Sequence, residues 1–553
     1  MKSVSNSRLI VLTSAFLMVF GNMAFFSNVM EVYPPSLKNM VFLASLAAVF
    51  GCATVLLLAL VCHRHTTKPV LILILMLSSF ASYFMDSYNV ILDAAMIDNA
   101  VNTNVAESLD LLSFKLILYV VLLGVVPSLF VYKASLVYDN AKAALFSTFK
   151  LLLSSIVILV SIVFLLGDFY GSFIREHKSL RYYSNPSYYV YSLGKYAGSF
   201  FVDEQVELKV VGPDAQIPSS DEHRELVVLV VGETARADRF SLNGYERETN
   251  PYLKGKDVIS YSNVWSCGTS TAVSVPCLFS IYDHSGYDKN KARAIENVLD
   301  VVKHAGVTVL WRDNNSSSKG VADRVVYEDF RKPEKNPLCD VECRDEGMLD
   351  GLQAYIDAQQ DGDVFIVLHQ MGNHGPAYYK RYPEEFEKFT PVCKTNQLES
   401  CSKEEIDNAY DNAILYTDYF LSKVIDLLEG NGDEFEAAML YISDHGESLG
   451  EHGVYLHGMP YFIAPEAQTH VPMIMWFGSG FDEAEADVAE LKKNMHEKYS
   501  HDNIFHTVLG LLEIDTSVYD KTMDLLSGHG DAEISTTEKD NELLMNDKEK
   551  VAH

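Results

Sequence analysis

Five apolar runs dominate the first 170 residues of the chain, at roughly 9–29, 39–62, 69–85, 115–132 and 151–167. Each is close to the ~20 residues that a helix needs to cross a hydrocarbon core. The pattern predicts a five-span helical membrane domain over 1–170. Lys2 and Arg8 precede the first run as they would in a signal peptide, but a cleaved signal leaves the four later runs unexplained. Over 171–218 the character changes. Arg175, Arg181 and Lys195 stand among Tyr182, Tyr183, Tyr188, Tyr189, Tyr191 and Tyr196, amphipathic side chains that settle at a membrane interface. The end of this connector, 213–222, reads as a hinge.

From 219 to 520 short apolar runs alternate with segments of helical period. Runs at 226–231, 307–311, 364–368, 438–442 and 471–476 suit buried strands, and 406–428 and 502–512 suit helices. This predicts an α/β/α sandwich around a mostly parallel sheet. Residues 521–553 are polar and acidic without period, which predicts a weakly ordered tail.

Charge sharpens the division. The formal net charge is −30. Residues 1–170 hold nine Lys/Arg against eight Asp/Glu, whereas 171–553 hold 35 against 66. So acidic a main domain excludes a nucleic-acid binder, which needs Lys/Arg to neutralise phosphates. Seven of the nine basic residues of the membrane half fall at Lys2 and Arg8, at Arg64 and Lys68, and at Lys133, Lys142 and Lys150. These segments belong on the cytoplasmic side. The other loops carry Glu31, Asp86, Asp93, Asp98, Glu107 and Asp110. Five spans then place everything after about residue 168 on the exported face. Cysteine usage agrees. Beside Cys52 and Cys62, six lie as near neighbours: Cys267 with Cys277, Cys339 with Cys343, and Cys393 with Cys401. Six cysteines allow fifteen connectivities, of which three local disulfides are the simplest in an oxidising compartment. A zinc cluster would more usually show C-x-x-C pairs, and none is present.

In such a sheet ligands bind beyond the carboxyl ends of the strands. The first run leads into Glu233, the second into Arg312, Asp313, Asn314, Asn315 and Lys319, the third into His369, Asn373 and His374. The fourth leads into Asp444, His445 and Glu447, with Glu451, His452 and His457 beyond. Any one of these is unremarkable alone. Carboxylates and imidazoles converging from four strand ends suit Zn or Mn, whereas an all-oxygen cage would suit Mg or Ca. A candidate nucleophile lies in the small-residue loop CGTSTAVSVPC at 267–277. Thr271 stands where that loop leads into a helix-like stretch at 272–282, and a helix N-terminus favours a phosphoryl group.

The strings GETARADRFSLNGYERETNP, CGTSTAVSVPC, RDNNSSSKG and SDHGESLGEHGVYLHG resemble the phosphoethanolamine transferases of the Gram-negative inner membrane, among them the lipid A enzymes of polymyxin resistance. The likeness spans roughly 1–520. It implies an alkaline-phosphatase-like exported domain facing the periplasm, with one zinc and room for a second. Carried onto matching positions, Thr271 is the nucleophile, and Glu233, Thr271, Asp444 and His445 hold the metal. His374, His457, Lys319, Thr269 and Glu447 line the substrate pocket. Asn99, Thr103 and Glu107 receive the ethanolamine head. His452 departs from an Asn in some members and touches no assigned ligand. Sulfatases share the fold, but their C-x-P-x-R motif is absent.

The resemblance implies double displacement: phosphatidylethanolamine loads Thr271, and the phosphoethanolamine passes to a lipid A phosphate, reducing polymyxin binding. Other envelope acceptors, core heptose or a periplasmic glucan, stay open, as does a non-catalytic membrane sensor or scaffold. The pattern is silent on oligomeric state.

Overall fold

The computed structural model describes residues 4–102, 111–137, 140–199, 208–219, 223–481 and 487–527. The membrane half comprises α1 (Asn6–Phe20), α2 (Met23–Val32), α3 (Leu37–Val61), α4 (Thr67–Tyr88), the short α5 (Ala94–Asn102), α6 (Phe114–Lys133) and α7 (Ala141–Leu165). Helices α3, α4, α6 and nearly all of α7 are long and apolar enough to cross a membrane; α1 and α2 make a fifth span if taken as one broken helix. On the outermost helix, α7, only 6% of the most apolar window is buried. Leu145, Phe146, Phe149, Leu153, Val157, Val160 and Phe164 are exposed there, as lipid requires.

The first apolar run is therefore not one straight helix: α1 and α2 meet at 54°. The cause is Asn22, a buried amide inside an apolar run. Its Nδ2 donates to Leu17 O (2.9 Å) and to Asn185 O (2.7 Å), and its Oδ1 accepts from Asn185 N (2.9 Å). Asn185 Nδ2 in turn donates to Gly21 O (2.8 Å). A break in apolar surroundings is tolerated because the connector satisfies the backbone groups it frees. That connector continues through α8 (Gly167–Glu176) and α9 (Ser187–Ser199).

The second half is built on one eight-stranded sheet. Its strands are β1 (Glu225–Gly232), β2 (Ile259–Trp265), β3 (Thr308–Asp313), β4 (Val326–Asp329), β5 (Val364–His369), β6 (Glu436–Ser443), β7 (His470–Phe477) and β8 (Tyr499–Ser500). They lie in the order β8-β2-β7-β6-β1-β5-β3-β4, and only β7 runs antiparallel to its neighbours. Strand alternation divides β1 between two cores. Val227, Leu229 and Val231 face one layer, with α11 (Val298–His304) and α13 (Ile504–Leu511); Leu226, Val228 and Val230 face the other, with α12 (Lys403–Glu429). Burial on both faces is why these strands read as continuous apolar runs.

Three disulfides join near neighbours in this half: Cys267 to Cys277, Cys339 to Cys343, and Cys393 to Cys401. The smallest ring is a tight turn in which Cys339 and Cys343 also form an antiparallel backbone bridge. Neither half-cystine is a ligand. The carbonyl of Cys343 accepts from Asn314 Nδ2 (2.9 Å), which ties the turn to the carboxyl end of β3.

The packed unit begins and ends outside the expected limits. Val211 and Ala215 belong to the core, and Gln216 pairs with Asp515, so the described part of the expected hinge is pinned to the domain. At the other end Leu525 is buried in the same core; residues of the expected tail from 528 onward lie outside the described residues. The two halves touch. Helix α5 packs between α9 and α10 (Thr271–Leu278). Lys115 pairs with Glu399 (2.6 Å), Tyr88 OH donates to Asn396 O (3.1 Å), and Asn396 Nδ2 donates to Leu112 O (2.8 Å).

Candidate active site

At Gly232 the chain leaves β1, and any Cβ there would stand 2.6 Å from the Tyr441 ring. Thr234 follows in the left-handed region, at φ 51°. This abrupt turn between parallel neighbours buries Glu233 completely. The adjacent strand β6 ends in Ser443, and Asp444 and His445 follow it, equally buried. One carboxylate oxygen each from Glu233 and Asp444 and a ring nitrogen of His445 lie within 4.8 Å of one another.

Thr271, the first residue of α10, completes the group. Its Oγ1 lies 3.1 and 3.3 Å from the Glu233 carboxylate oxygens and 3.4 Å from His445 Nε2. Ser270 is extended at the N-cap, and its carbonyl accepts from Val273 and Ser274. The Cys267–Cys277 disulfide closes this loop onto its own helix.

The electrostatics ask for a cation. His445 Nδ1 lies 2.9 Å from Gly446 O, the geometry of an N–H donating to a carbonyl, which leaves Nε2 facing the group. Asp444 Oδ1 accepts from Thr234 N (3.2 Å) and His445 N (2.7 Å), but Oδ2 is buried with no hydrogen-bond partner among the described residues. An orphaned buried polar atom costs about 1–3 kcal/mol, and more when charged. Burial pushes the Asp444 carboxyl up to about 6 and holds His445 well below the usual imidazole range. Two carboxylates, an imidazole and a hydroxyl converging in a dry site fit a divalent metal.

Three imidazoles extend the site outward. The His445 and His457 rings are 4.4 Å apart, and His457 and His374 5.5 Å. Burial, then the neighbouring His457, keeps His374 neutral, with smaller contributions from Arg381 and Lys319. Lys319 sits in a left-handed turn after β3 and bonds the Ser316 hydroxyl.

Two expected pocket residues stand one step back. Glu447 Oε1 accepts from Tyr378 OH (2.7 Å), and its Oε2 lies 2.8 Å from His457 Nδ1, so it orients that ring. Thr269 spends its hydroxyl proton on Met459 O (2.6 Å), and its carbonyl accepts from Gly458 N (2.7 Å), tying the nucleophile loop to the His457 segment. Asn99 lies on α5, against α10. Thr103 and Glu107 lie outside the described residues. His452 is exposed at φ 52°, a conformation that asparagine also adopts easily.

Some strand-end candidates turn out to support the site from behind. Asn315 Nδ2 donates to Glu233 Oε2 (2.7 Å) and to Gln370 O (2.7 Å). His369 Nδ1 lies 3.0 Å from Asp313 Oδ2, which also accepts from Trp311 Nε1. Position just after β3 and at the end of β5 was the available clue, and it does not separate a supporting amide or imidazole from a bystander.

A hydroxyl at a helix N-terminus faces buried acids and an imidazole at the carboxyl ends of a mostly parallel sheet, an arrangement suited to metal-assisted attack on an ester. A family model described as Sulfatase matches residues 225–514. Another, described as Phosphoethanolamine transferase EptA/EptB, matches residues 50–199. Phosphatidylethanolamine transferase Mcr-2 of Escherichia coli is 43% identical over 93% of this chain and 96% of its own. Phosphoethanolamine transferase EptA of Escherichia coli K12 is 37% identical over 94% and 96%. The solved integral membrane EptA of Neisseria meningitidis superposes with a TM-score of 0.91 at 36% identity, covering 96% of this chain and all of that one. The chain belongs to the phosphoethanolamine transferase family and is an enzyme of that kind.

Proposed function

We propose that this protein is an inner-membrane enzyme whose catalytic domain faces the periplasm, moving phosphoethanolamine from phosphatidylethanolamine to a lipid A phosphate through Thr271. The observation that carries the reading is the Thr271 hydroxyl, 3.1 Å from the Glu233 carboxylate in a buried Glu/Asp/His set. Glu233, Asp444, His445 and Thr271 would hold one zinc, the metal that mixed carboxylate and imidazole donors suit. What zinc supplies when bound is positive charge that lowers the hydroxyl's pKa and screens the transferred phosphoryl group.

The chain's own residues do the rest. Thr271 Oγ1 gives up its proton and attacks phosphorus, the bond to the diacylglycerol oxygen breaks, and the departing oxygen takes that proton. His457, oriented through Nδ1 by Glu447, is placed to carry that proton on Nε2. Lys319 and the helix N-terminus stabilise negative charge on the group in flight. Capping an acidic phosphate with a cationic head lowers the surface's attraction for polymyxins. Relatives at 43% and 37% identity are named for phosphatidylethanolamine and phosphoethanolamine transfer, and one at 26% identity is named a Kdo(2)-lipid A phosphoethanolamine 7''-transferase, which supports an acceptor of the lipid A kind. Mass spectrometry of lipid A after expression in a host lacking such enzymes tests the reading. Unmodified lipid A, or a modified core sugar, would overturn the acceptor.

A further inference from the structure

Beside the nucleophile helix lies a cavity of about 520 Å³, bounded by Ala272 and Pro276 of α10 and by Ser280 just beyond it on one side, and by the turn from Ser317 to Arg324 on the other. Its size is that of a small-molecule site. In a chain of net charge −30 it gathers four cations, Lys289, Arg293, Lys319 and Arg324. The acids of its own lining, Glu296 and Asp323, both act on Arg324, and Lys289 and Arg324 have acid partners of their own, so the surplus positive charge rests on Arg293 and Lys319. The Glu296 carboxylate accepts from Val211 N (3.0 Å) and lies 2.9 Å from His304 Nε2, and Asp323 is exposed at the rim. Arg324 is held in a fixed fork by Asp300 (2.6 Å to each oxygen), and Lys289 is paired with Asp98 of α5, from the membrane half. Tyr287 lines the same cavity with a buried hydroxyl that has no hydrogen-bond partner among the described residues. A buried donor left open beside cations is a place for an oxyanion or a sugar oxygen.

We propose that this cavity is the acceptor subsite, taking a sugar phosphate monoester borne on a lipid, with Lys319 shared between it and the reacting centre. The inference rests on the transferase reading above. The hydroxyls of Ser280 and Ser317 on the walls suit a sugar ring, and α5 brings the membrane half to its edge. In the second half-reaction an oxygen of the bound monoanionic phosphate attacks the phosphorus of phosphoethanolamine-threonine. A P–O–P bond forms, the bond to Thr271 Oγ1 breaks, and the acceptor's proton passes to Oγ1. No other co-reactant is needed.

The test separates the two half-reactions in the full-length enzyme. Loading with phosphatidylethanolamine alone is followed by intact mass, and transfer is then started with lipid A. Arg293→Ala and the conservative Tyr287→Phe are expected to load as wild type, which also shows that they fold, and to raise the KM for lipid A about tenfold. Soluble glucosamine 1-phosphate is expected to compete with lipid A in the wild type but not in Arg293→Ala. An unchanged KM in both variants overturns the assignment, and so does slowed loading, which would give the cavity to the donor. Equal competition by inorganic phosphate removes the sugar from the ligand class. A wild type that never gains mass on Thr271 would sink the transferase mechanism itself, a distinguishable result.

Discussion

Thr271 carries the proposed chemistry, in which a single oxygen must meet the Glu/Asp/His set and the incoming phosphorus. Thr271→Ala is expected to reduce transfer by at least about 10³-fold with normal membrane insertion, and Thr271→Ser to keep measurable activity. Full turnover by the alanine variant would remove Thr271 as nucleophile. The spacing of motifs pointed at this residue, but it could not say that Thr269 and Glu447 act through Met459 and His457. Those partners are set by loop paths that no periodicity reveals. Away from the site, Asp418 offers a stability test. Burial raises its carboxyl from 3.8 to about 7, although Tyr252 N and Leu253 N donate to it. The folded state therefore binds the proton more tightly than the unfolded state. Its contribution to stability is full below pH ~4 and is lost as the pH rises to about 7. At ~1.4 kcal/mol per pH unit that is roughly 4 kcal/mol. Asp418→Asn should flatten the fall in Tm across this window; an unaltered Tm profile would refute it.

Among the elements, helix α10 and its disulfide show how a small ring acquires a large role. Cys267–Cys277 and Cys393–Cys401 close rings of similar size, with separations of 10 and 8 residues, so loop-closure arguments assign them similar stability, somewhat under 3 kcal/mol each. Only the first contains Thr271, whose oxygen must be held to a fraction of an ångström. Paired Cys→Ser variants at matched expression should lose far more transfer in the 267/277 pair than in the 393/401 pair. Equal losses would reduce the effect to general stability. The second ring looked from sequence like a plain surface loop, yet Asn396 and Glu399 dock it on the membrane half. Polar docking residues leave no apolar signature. The strands show the same limit: β1, β3, β5, β6 and β7 were legible because apolar side chains fill them. By contrast, β2 carries Ser260, Ser262 and Asn263, β4 carries Glu328 and Asp329, and β8 has only two residues.

For the whole molecule, the metal set is an addition to a core that stands without it. The two apolar layers flanking the sheet are extensive and continuous, unlike a zinc finger, whose fold depends on its ion. Chelation is accordingly expected to abolish transfer while leaving far-UV circular dichroism unchanged and Tm lowered by only a few degrees, with zinc restoring activity. Retained activity after verified metal removal would refute the metal assignment. The division into an apolar, nearly neutral half and an acidic half was legible from composition, because lipid and water select opposite surfaces. The bend at Gly21 and Asn22 was not, since its partner lies 163 residues away. That distance has a consequence in time. When the first span leaves the ribosome, Gly21 O and the Asn22 amide have no Asn185 to meet, and the bent pair is held only after the four later spans and the first part of the connector have been made. Entry into the bilayer and completion of the helical half are thus separate events, and the amide pair closes last, just before the chain turns outward to build the catalytic domain.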